Sequence, residues 1–206
     1  MHARWLAADG YQVQLVDPVA EHFDQARAIV GVKASVGDAR ALTMADSSVD
    51  AALLLGPLYH LVDERDRGRA LAEAMRVTRP GGLVAAAAIS RYAALLELAA
   101  LGELDADTGS HVASLIETGI NDDPERFTTA YFHRPEQLAA ELTGAGLSDV
   151  TVFGVEGPSA PALDIAGLSR IAELMPSAVR CAEMVETDPA MISASPHLLA
   201  FGRRVS

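Results

Sequence analysis

Apolar and polar positions change period along the chain, and the changes mark out elements. The opening HARWLAADG predicts a short helix closed by a turn at Asp9-Gly10. YQVQLVDP then predicts a strand over residues 11–16 that ends in an acid, Asp17. VAEHFDQARAIV has helical spacing, with Phe23, Ala26 and Val30 on one face. KASVGDAR is a short strand ending at Gly37-Asp38, and SVDAALLLGP is an apolar strand entered from Asp46-Ser47-Ser48. DERDRGRALAEAMRVTRPGG predicts an amphipathic helix carrying Leu71, Met75 and Val77, stopped by Pro80-Gly81-Gly82. LVAAAAIS has the continuous apolar character of a strand buried on both faces. Strands alternating with helices in this way predict an α/β fold, a mostly parallel sheet with helices on both faces.

The second half is less regular. Residues 91–126 are helical, rich in Leu, Ala and acids. HRPEQLAAELTGAGL predicts a helix with Pro135 in its first turn and Gly144 and Gly146 closing it. DVTVFGVEGP alternates with period two, as a strand does, and HLLAFGRRV ends the chain as another. Between them lies a long stretch, residues 159–196, which includes helical SRIAELM. No repeat or low-complexity linker divides the chain, so residues 1–206 are expected to form a single domain.

Composition narrows the classes of function. The chain has 206 residues, half of them hydrophobic, which suits one domain with a sizeable core. Its 16 basic and 28 acidic residues give a net charge of -12. That charge disfavours nucleic acid or an anionic membrane as a partner, since both are polyanions. Cys181 is the only cysteine, so no intrachain disulfide can form, and a reduced, cytoplasmic setting is expected. The longest apolar run, residues 83–89, is too short to span a bilayer. The histidines at 2, 22, 60, 111, 133 and 197 show no metal-ligand spacing, so no metal is expected. The absence of Gly-x-Ser-x-Gly speaks against an α/β-hydrolase nucleophile.

Four stretches occur in a telling order: VQLVDP, VGDARAL, SVDAALLLGPLYHL and RVTRPGGLVAAAAIS. Together with the final pair of strands they resemble the class I S-adenosylmethionine-dependent methyltransferase family. The resemblance covers residues 1–91, 133–157 and 197–203. It implies a Rossmann-like sheet whose last strand is antiparallel and inserted beside the fifth family strand. It also implies S-adenosylmethionine as cofactor and methyl transfer to a small-molecule acceptor. Residues 91–126 and 159–196 would then be helical cap segments on the substrate side. A parallel final strand would instead point to a nicotinamide oxidoreductase, whose second strand also ends in a ribose-binding acid.

The same residues can be read chemically. Asp17, followed by Pro18, ends a strand at the edge where open parallel sheets bind ligands, and its carboxylate can accept from both hydroxyls of a ribose. It can equally cap the helix that follows. Asp38, between Gly37 and Ala39, can accept from an adenine amino group or simply shape a turn. Leu55 and Gly56 follow the next strand, where a glycine lets a ligand approach the backbone. The resemblance places the reacting methyl group near this turn, which brings Tyr59 and His60 close to the donor. Tyr131 and Arg91 are candidate substrate contacts, and His60 or His133 a candidate base. Methyl transfer needs no catalytic side chain as such, because positioning and desolvation carry most of the rate.

The resemblance also implies a strand and a glycine-rich loop ahead of the helix at residue 2. The strand would lie centrally, between those of Gln14 and Leu54. Without it, two facing strand edges are expected to be open, which invites pairing with another copy of the chain. A catalytically impaired or non-enzymatic binding protein built on the methyltransferase fold is therefore the alternative to an active enzyme.

Overall fold

The computed structural model describes residues 2–123 and 127–205. Part of the expected cap segment, residues 124–126, lies outside the described residues. The chain opens with α1 (His2–Ala8), β1 (Val13–Asp17), α2 (Ala20–Ala26) and β2 (Val32–Val36). β1 and β2 pair in parallel, with Asp17 opposite Val36. α2 is shorter than its periodicity predicts. Ile29 N donates to the Ala26 carbonyl and Val32 N to that of Ile29, and Gly31 turns at φ 84° straight into β2. Val30, expected on the apolar helix face, is consequently 94 % exposed.

The larger sheet is organised by one strand. After β3 (Val49–Leu54), α3 (Pro57–His60) and α4 (Glu64–Val77) comes β4 (Thr78–Ser90). Then follow α5 (Ala93–Leu101), α6 (Ala106–Thr118), β5 (Ile120–Asn121), β6 (Ala130–His133), α7 (Pro135–Gly144), β7 (Leu147–Gly154), α8 (Ala160–Ala166), α9 (Leu168–Val185) and β8 (His197–Arg204). β4 pairs in parallel with β3 and, farther along, with β6. Its other edge pairs antiparallel with β8, which in turn pairs antiparallel with β7. The final strand is thus antiparallel and inserted, and not parallel as a nicotinamide oxidoreductase would have it.

α4 forms because Asp63 caps it, accepting from Arg65 N at 2.8 Å, and because Arg67, Ala70, Leu71, Ala74 and Val77 make one buried stripe. Thr78, not the RPGG sequence, ends it. Thr78 is extended and its Oγ1 donates to the Ala74 carbonyl at 2.8 Å. RPGG instead forms the irregular start of β4, where the register with β3 shifts. A Cβ on Gly82 would stand 2.7 Å from the Asp50 carbonyl oxygen, so only glycine fits this approach.

Side chains of β4 alternate between two apolar clusters. Val84, Ala86 and Ala88 join Leu54, Leu58, Leu71, Leu138, Leu142 and Leu198 on one face. Ile89 joins Leu115, Ala130 and Phe132 on the other, with Tyr59 packed against them. β6 was not anticipated from its sequence, because its four residues carry little periodicity and run straight into the helix that begins at Pro135.

β3, read as an apolar strand, is buried unevenly. Leu54 is buried, but Leu53 is 42 % exposed and Asp50 and Ala51 are exposed too. Among the described residues no strand pairs with its second edge, and β1 pairs only with β2. The β1–β2 unit is tied to the larger sheet mainly through the segment after β2. Arg76 on α4 donates to the Leu42 and Met44 carbonyls and pairs with Asp46 at 2.7 Å, and Glu73 accepts from Leu42 N at 2.7 Å. Arg40 pairs with Asp66 at 2.5 Å.

Gly119 offers a test of how tightly the α6 end is held. It has φ 80°, and a Cβ there would stand 2.6 Å from Arg91 Cζ and 2.8 Å from the Phe132 carbonyl oxygen. Gly119→Ala should destabilise the chain by about 2 kcal/mol through backbone strain and displacement of Arg91. That corresponds to a melting temperature lower by roughly 4–8 °C for a chain of this size. An unchanged melt would show that Arg91 is not held against this turn.

Candidate functional site

The parallel strands direct their carboxyl ends to one edge, and most of the residues singled out from sequence gather there. Asp17 closes β1 and Gly37-Asp38-Ala39 follows β2. The two ends are neighbours, since Gly37 N donates to the Asp17 carbonyl at 3.1 Å. Gly37 is packed against β1, and a Cβ on it would stand 2.8 Å from Val16 Cγ1. The Asp17 carboxylate accepts from Val19 N at 2.9 Å and meets His22 Nδ1 at 3.2 Å. Pro18 is exposed between them. Asp38 accepts from Arg40 N at 2.8 Å and from the Arg40 side chain, whose hydrogen bonds hold the Asp38 carboxyl below its ordinary range. Both acids therefore shape their own turns while sitting at the ligand edge. Ala39 packs against the main core and fixes the position of its loop.

β3 ends in Leu55-Gly56 and passes directly into α3. Tyr59 donates its hydroxyl to the Leu55 carbonyl at 3.1 Å, and burial pushes its pKa up. His60 is exposed and lies against the Tyr59 ring, with centroids 4.7 Å apart. Leu55, Gly56, Tyr59 and His60 thus stay together at the end of the strand.

Arg91, Tyr131 and His133 form a different kind of site. Arg91 is 1 % exposed, and its guanidinium is spent internally. Nε donates to the Phe132 carbonyl at 2.7 Å, Nη1 to that of Ile116 at 3.1 Å, and Nη2 to Gln137 Oε1 at 2.8 Å. Burial lowers its pKa. Arg67 is 3 % exposed and stacks on the Tyr131 ring at 3.8 Å. It pairs with Glu141 at 2.8 Å and donates to the Val62 carbonyl at 2.7 Å. His133 has no exposed surface; its Nε2 lies 3.4 Å from Glu141 Oε2 and its Nδ1 has no partner. In this geometry Arg91 and His133 join α4, α6, β6 and α7 from within. That differs from the substrate-facing roles expected of them, because the approach of α7 to the end of β6 encloses both.

Two grooves of about 440 and 480 Å³ lie away from this edge, one beside the amino ends of β1 and β2 and one between the ends of α1 and α2. The spacing of the histidines hid a further constellation. Glu156, just after β7, holds His197, the first residue of β8, through a 2.6 Å contact between Oε1 and Nδ1. Because β8 runs antiparallel, its first residue reaches the same edge as the carboxyl ends of β3 and β4. Only the strand topology reveals this. Among the described residues no group of three or more His, Cys, Asp or Glu side chains is placed to hold a metal ion, and no helix is long and apolar enough to cross a membrane.

His133 gives a pH signature. Desolvation lowers its pKa from the ordinary 6.5, against the opposing pull of Glu141. The unfolded chain therefore binds the extra proton first. Stability associated with neutral His133 is full above pH 6.5 and falls as the pH drops toward the lowered value. His133→Gln keeps an amide where Nε2 meets Glu141 but cannot ionise. Melts between pH 7 and pH 5 should show a shallower acid loss in this variant; an equal slope would place the acid sensitivity elsewhere.

Comparison with known proteins agrees with this architecture. Residues 1–82 match a family described as a methyltransferase domain. An uncharacterized methyltransferase of Mycobacterium tuberculosis is 34 % identical over 132 residues, which is 64 % of this chain and 51 % of that protein. The chain thus spans about half the length of the curated relative it matches. A solved S-adenosylmethionine-dependent methyltransferase from Mesorhizobium loti superposes with a TM-score of 0.61 at 17 % identity, covering 98 % of this chain and 85 % of that one. A Haemonchus contortus phosphoethanolamine N-methyltransferase bound to S-adenosylhomocysteine gives 0.54 at 18 % identity, over 99 % and 46 % of the two chains. Residues 1–82 match the methyltransferase domain family, and the chain has the class I S-adenosylmethionine-dependent methyltransferase fold.

Proposed function

We propose that the chain binds S-adenosylmethionine across the carboxyl ends of β1, β2 and β3 and takes part in methyl transfer to a small-molecule acceptor. The observation that carries this is the pair of carboxylates, Asp17 and Asp38, at adjacent strand ends in a methyltransferase fold. The donor set suits a nucleoside. Asp17 has two oxygens for a vicinal diol, and Asp38 an acceptor for an exocyclic amine. Pro18, Gly37 and Ala39 line the approach, and Leu55 and Gly56 bring backbone close to the far end. The cofactor supplies a methyl group already activated on a sulfonium. What remains for the protein is to hold the acceptor in line, exclude water and accept a proton where the acceptor carries one.

On this reading Tyr59 and His60 lie beside the acceptor, with Tyr131 behind them. Residues 91–126 and 159–196 act as cap segments of the single domain. They supply α5, α8 and α9 after strands that end at, or cross, the ligand edge. Such segments tune substrates because the sheet beneath them is rigid.

The alternative reading is a binding protein with impaired catalysis on the same fold. A thermal-shift titration with S-adenosylmethionine and S-adenosylhomocysteine, alongside transfer of a labelled methyl group, separates the two.

The ribose assignment is tested by Asp17→Asn, which keeps an acceptor for Val19 N but removes the charge. Charge-assisted bonds are worth roughly 1.5–3 kcal/mol each, so calorimetry should show S-adenosylhomocysteine binding about ten-fold weaker or more, with the melt retained. Asp38→Ala should weaken binding in the same direction. Unchanged affinity in both variants would remove the carboxylates from the site.

A further inference from the structure

His197 and Glu156 lie outside every residue assigned above, yet their arrangement is built with care. Glu156 Oε1 holds His197 Nδ1 at 2.6 Å, and Oε2 accepts from the His197 backbone N at 3.1 Å. Ser195, fully buried, places its Oγ 2.9 Å from Glu156 Oε2 and accepts from the backbone N of Glu156 at 2.9 Å. The carboxylate is thus fixed on both oxygens. The ring it holds is not buried: the His197 side chain is 55 % exposed, and Nδ1 is the nitrogen that is tied. Nε2 is left at the outer end of the ring. A carboxylate that fixes one imidazole nitrogen sets the tautomer and makes the other nitrogen a proton acceptor.

Position completes the case. His197 is directly opposite Ile89 across the β4–β8 ladder, and Ile89 is opposite Phe132 on β6. Residues paired in this way share a sheet face. Tyr59 packs on that same face, against the cluster of Ile89 and Phe132. β3, β4 and β8 are consecutive, so His197 lies about two strand spacings, roughly 10 Å, from the chain leaving β3 at Gly56. One small molecule can bridge that span.

Resting on the reading of the site as a methyl-transfer site, we propose that His197 Nε2, oriented by Glu156, is the proton acceptor for a neutral aromatic alcohol whose hydroxyl oxygen takes the methyl group. The oxygen lone pair forms the O–CH3 bond, the S–CH3 bond breaks with its electrons kept by sulfur, and the hydroxyl proton passes to Nε2. A phenolic hydroxyl keeps its proton at neutral pH and is a weak nucleophile until it loses it, so this acceptor needs the base. Ile89 and Phe132 are themselves buried, and the surface an aromatic ring can reach is the half-buried Tyr59 ring with the exposed His60 against it; the chain's net charge of -12 disfavours an anionic acceptor. Glu156 is the charged group facing His197, and its hydrogen bond raises the His197 pKa above the ordinary 6.5. Glu156 is itself pushed up by burial but more strongly lowered by its bonds to His197 and Ser195.

His197→Asn separates base from strut. Its amide stands where Nδ1 stood and keeps the bond to Glu156, but Nε2 is gone. The probes are phenol and 4-nitrophenol, the second of which is largely ionised at mildly alkaline pH and arrives without the proton. With S-adenosylmethionine as donor, His197→Asn should lower kcat/KM for phenol roughly 100-fold or more and leave 4-nitrophenol within a few-fold. Glu156→Gln should move the rise of the phenol pH profile toward acid. Independently of turnover, carbon-detected NMR should show the His197 ring titrating above 6.5, and shifting when phenol is added to the complex with S-adenosylhomocysteine. Equal losses for both phenols would make His197 a strut and overturn the proposal. So would an unmoved His197 resonance, or no transfer to either phenol, while S-adenosylhomocysteine still binds. Failure of S-adenosylhomocysteine to bind would instead overturn the methyl-transfer reading, and the proposal with it.

Discussion

A buried strand must satisfy its backbone on both edges, and in this chain that requirement falls on β4. Residues 83–86 bond to β3 on one side and β8 on the other, and the end of the strand passes to β6. Small side chains make the position tenable. Ala85, Ala86 and Ala88 are almost fully buried and leave room for apolar layers on both faces. The part of the ligand edge that belongs to the larger sheet takes its place from this strand. Gly56 stands two residues past the end of β3, Arg91 directly follows β4, His133 is the last residue of β6 and His197 the first of β8.

The β1–β2 unit obeys a different rule. It holds the two acids of the proposed cofactor site, yet no strand among the described residues joins its sheet to the larger one. Its anchors are side chains of α4, chiefly Arg76, Glu73 and Asp66, gripping the segment that follows β2. Such contacts are directional but partly exposed, and they hold less firmly than a continuous ladder. The proposed cofactor site therefore depends on polar contacts more than on apolar packing.

Two His–Glu pairs show how exposure decides chemistry. His133 with Glu141 and His197 with Glu156 share the same groups at hydrogen-bonding distances. The first pair is closed in by Arg67 and Arg91, and burial lowers the pKa of the ring. The second has one face in the open, and its carboxylate favours the charged ring. The first braces α7 against β6. The second has a free nitrogen at the edge where ligands are expected.

The antiparallel insertion of the last strand came from the resemblance, while the residue pattern alone determined the alternation of strands and helices and the acids at the ends of β1 and β2. These are local or nearly so: apolar runs, turn glycines and an acid after a strand are visible within ten residues. What the pattern missed depended on contacts between distant segments. β6 is too short to show a period, Thr78 rather than RPGG ends α4, and Arg91 turns inward because α6 and α7 close around it. The pairing of His197 with Glu156 needed the structure most. Forty-one positions separate them, and only an antiparallel last strand brings the start of β8 back to the end of β7.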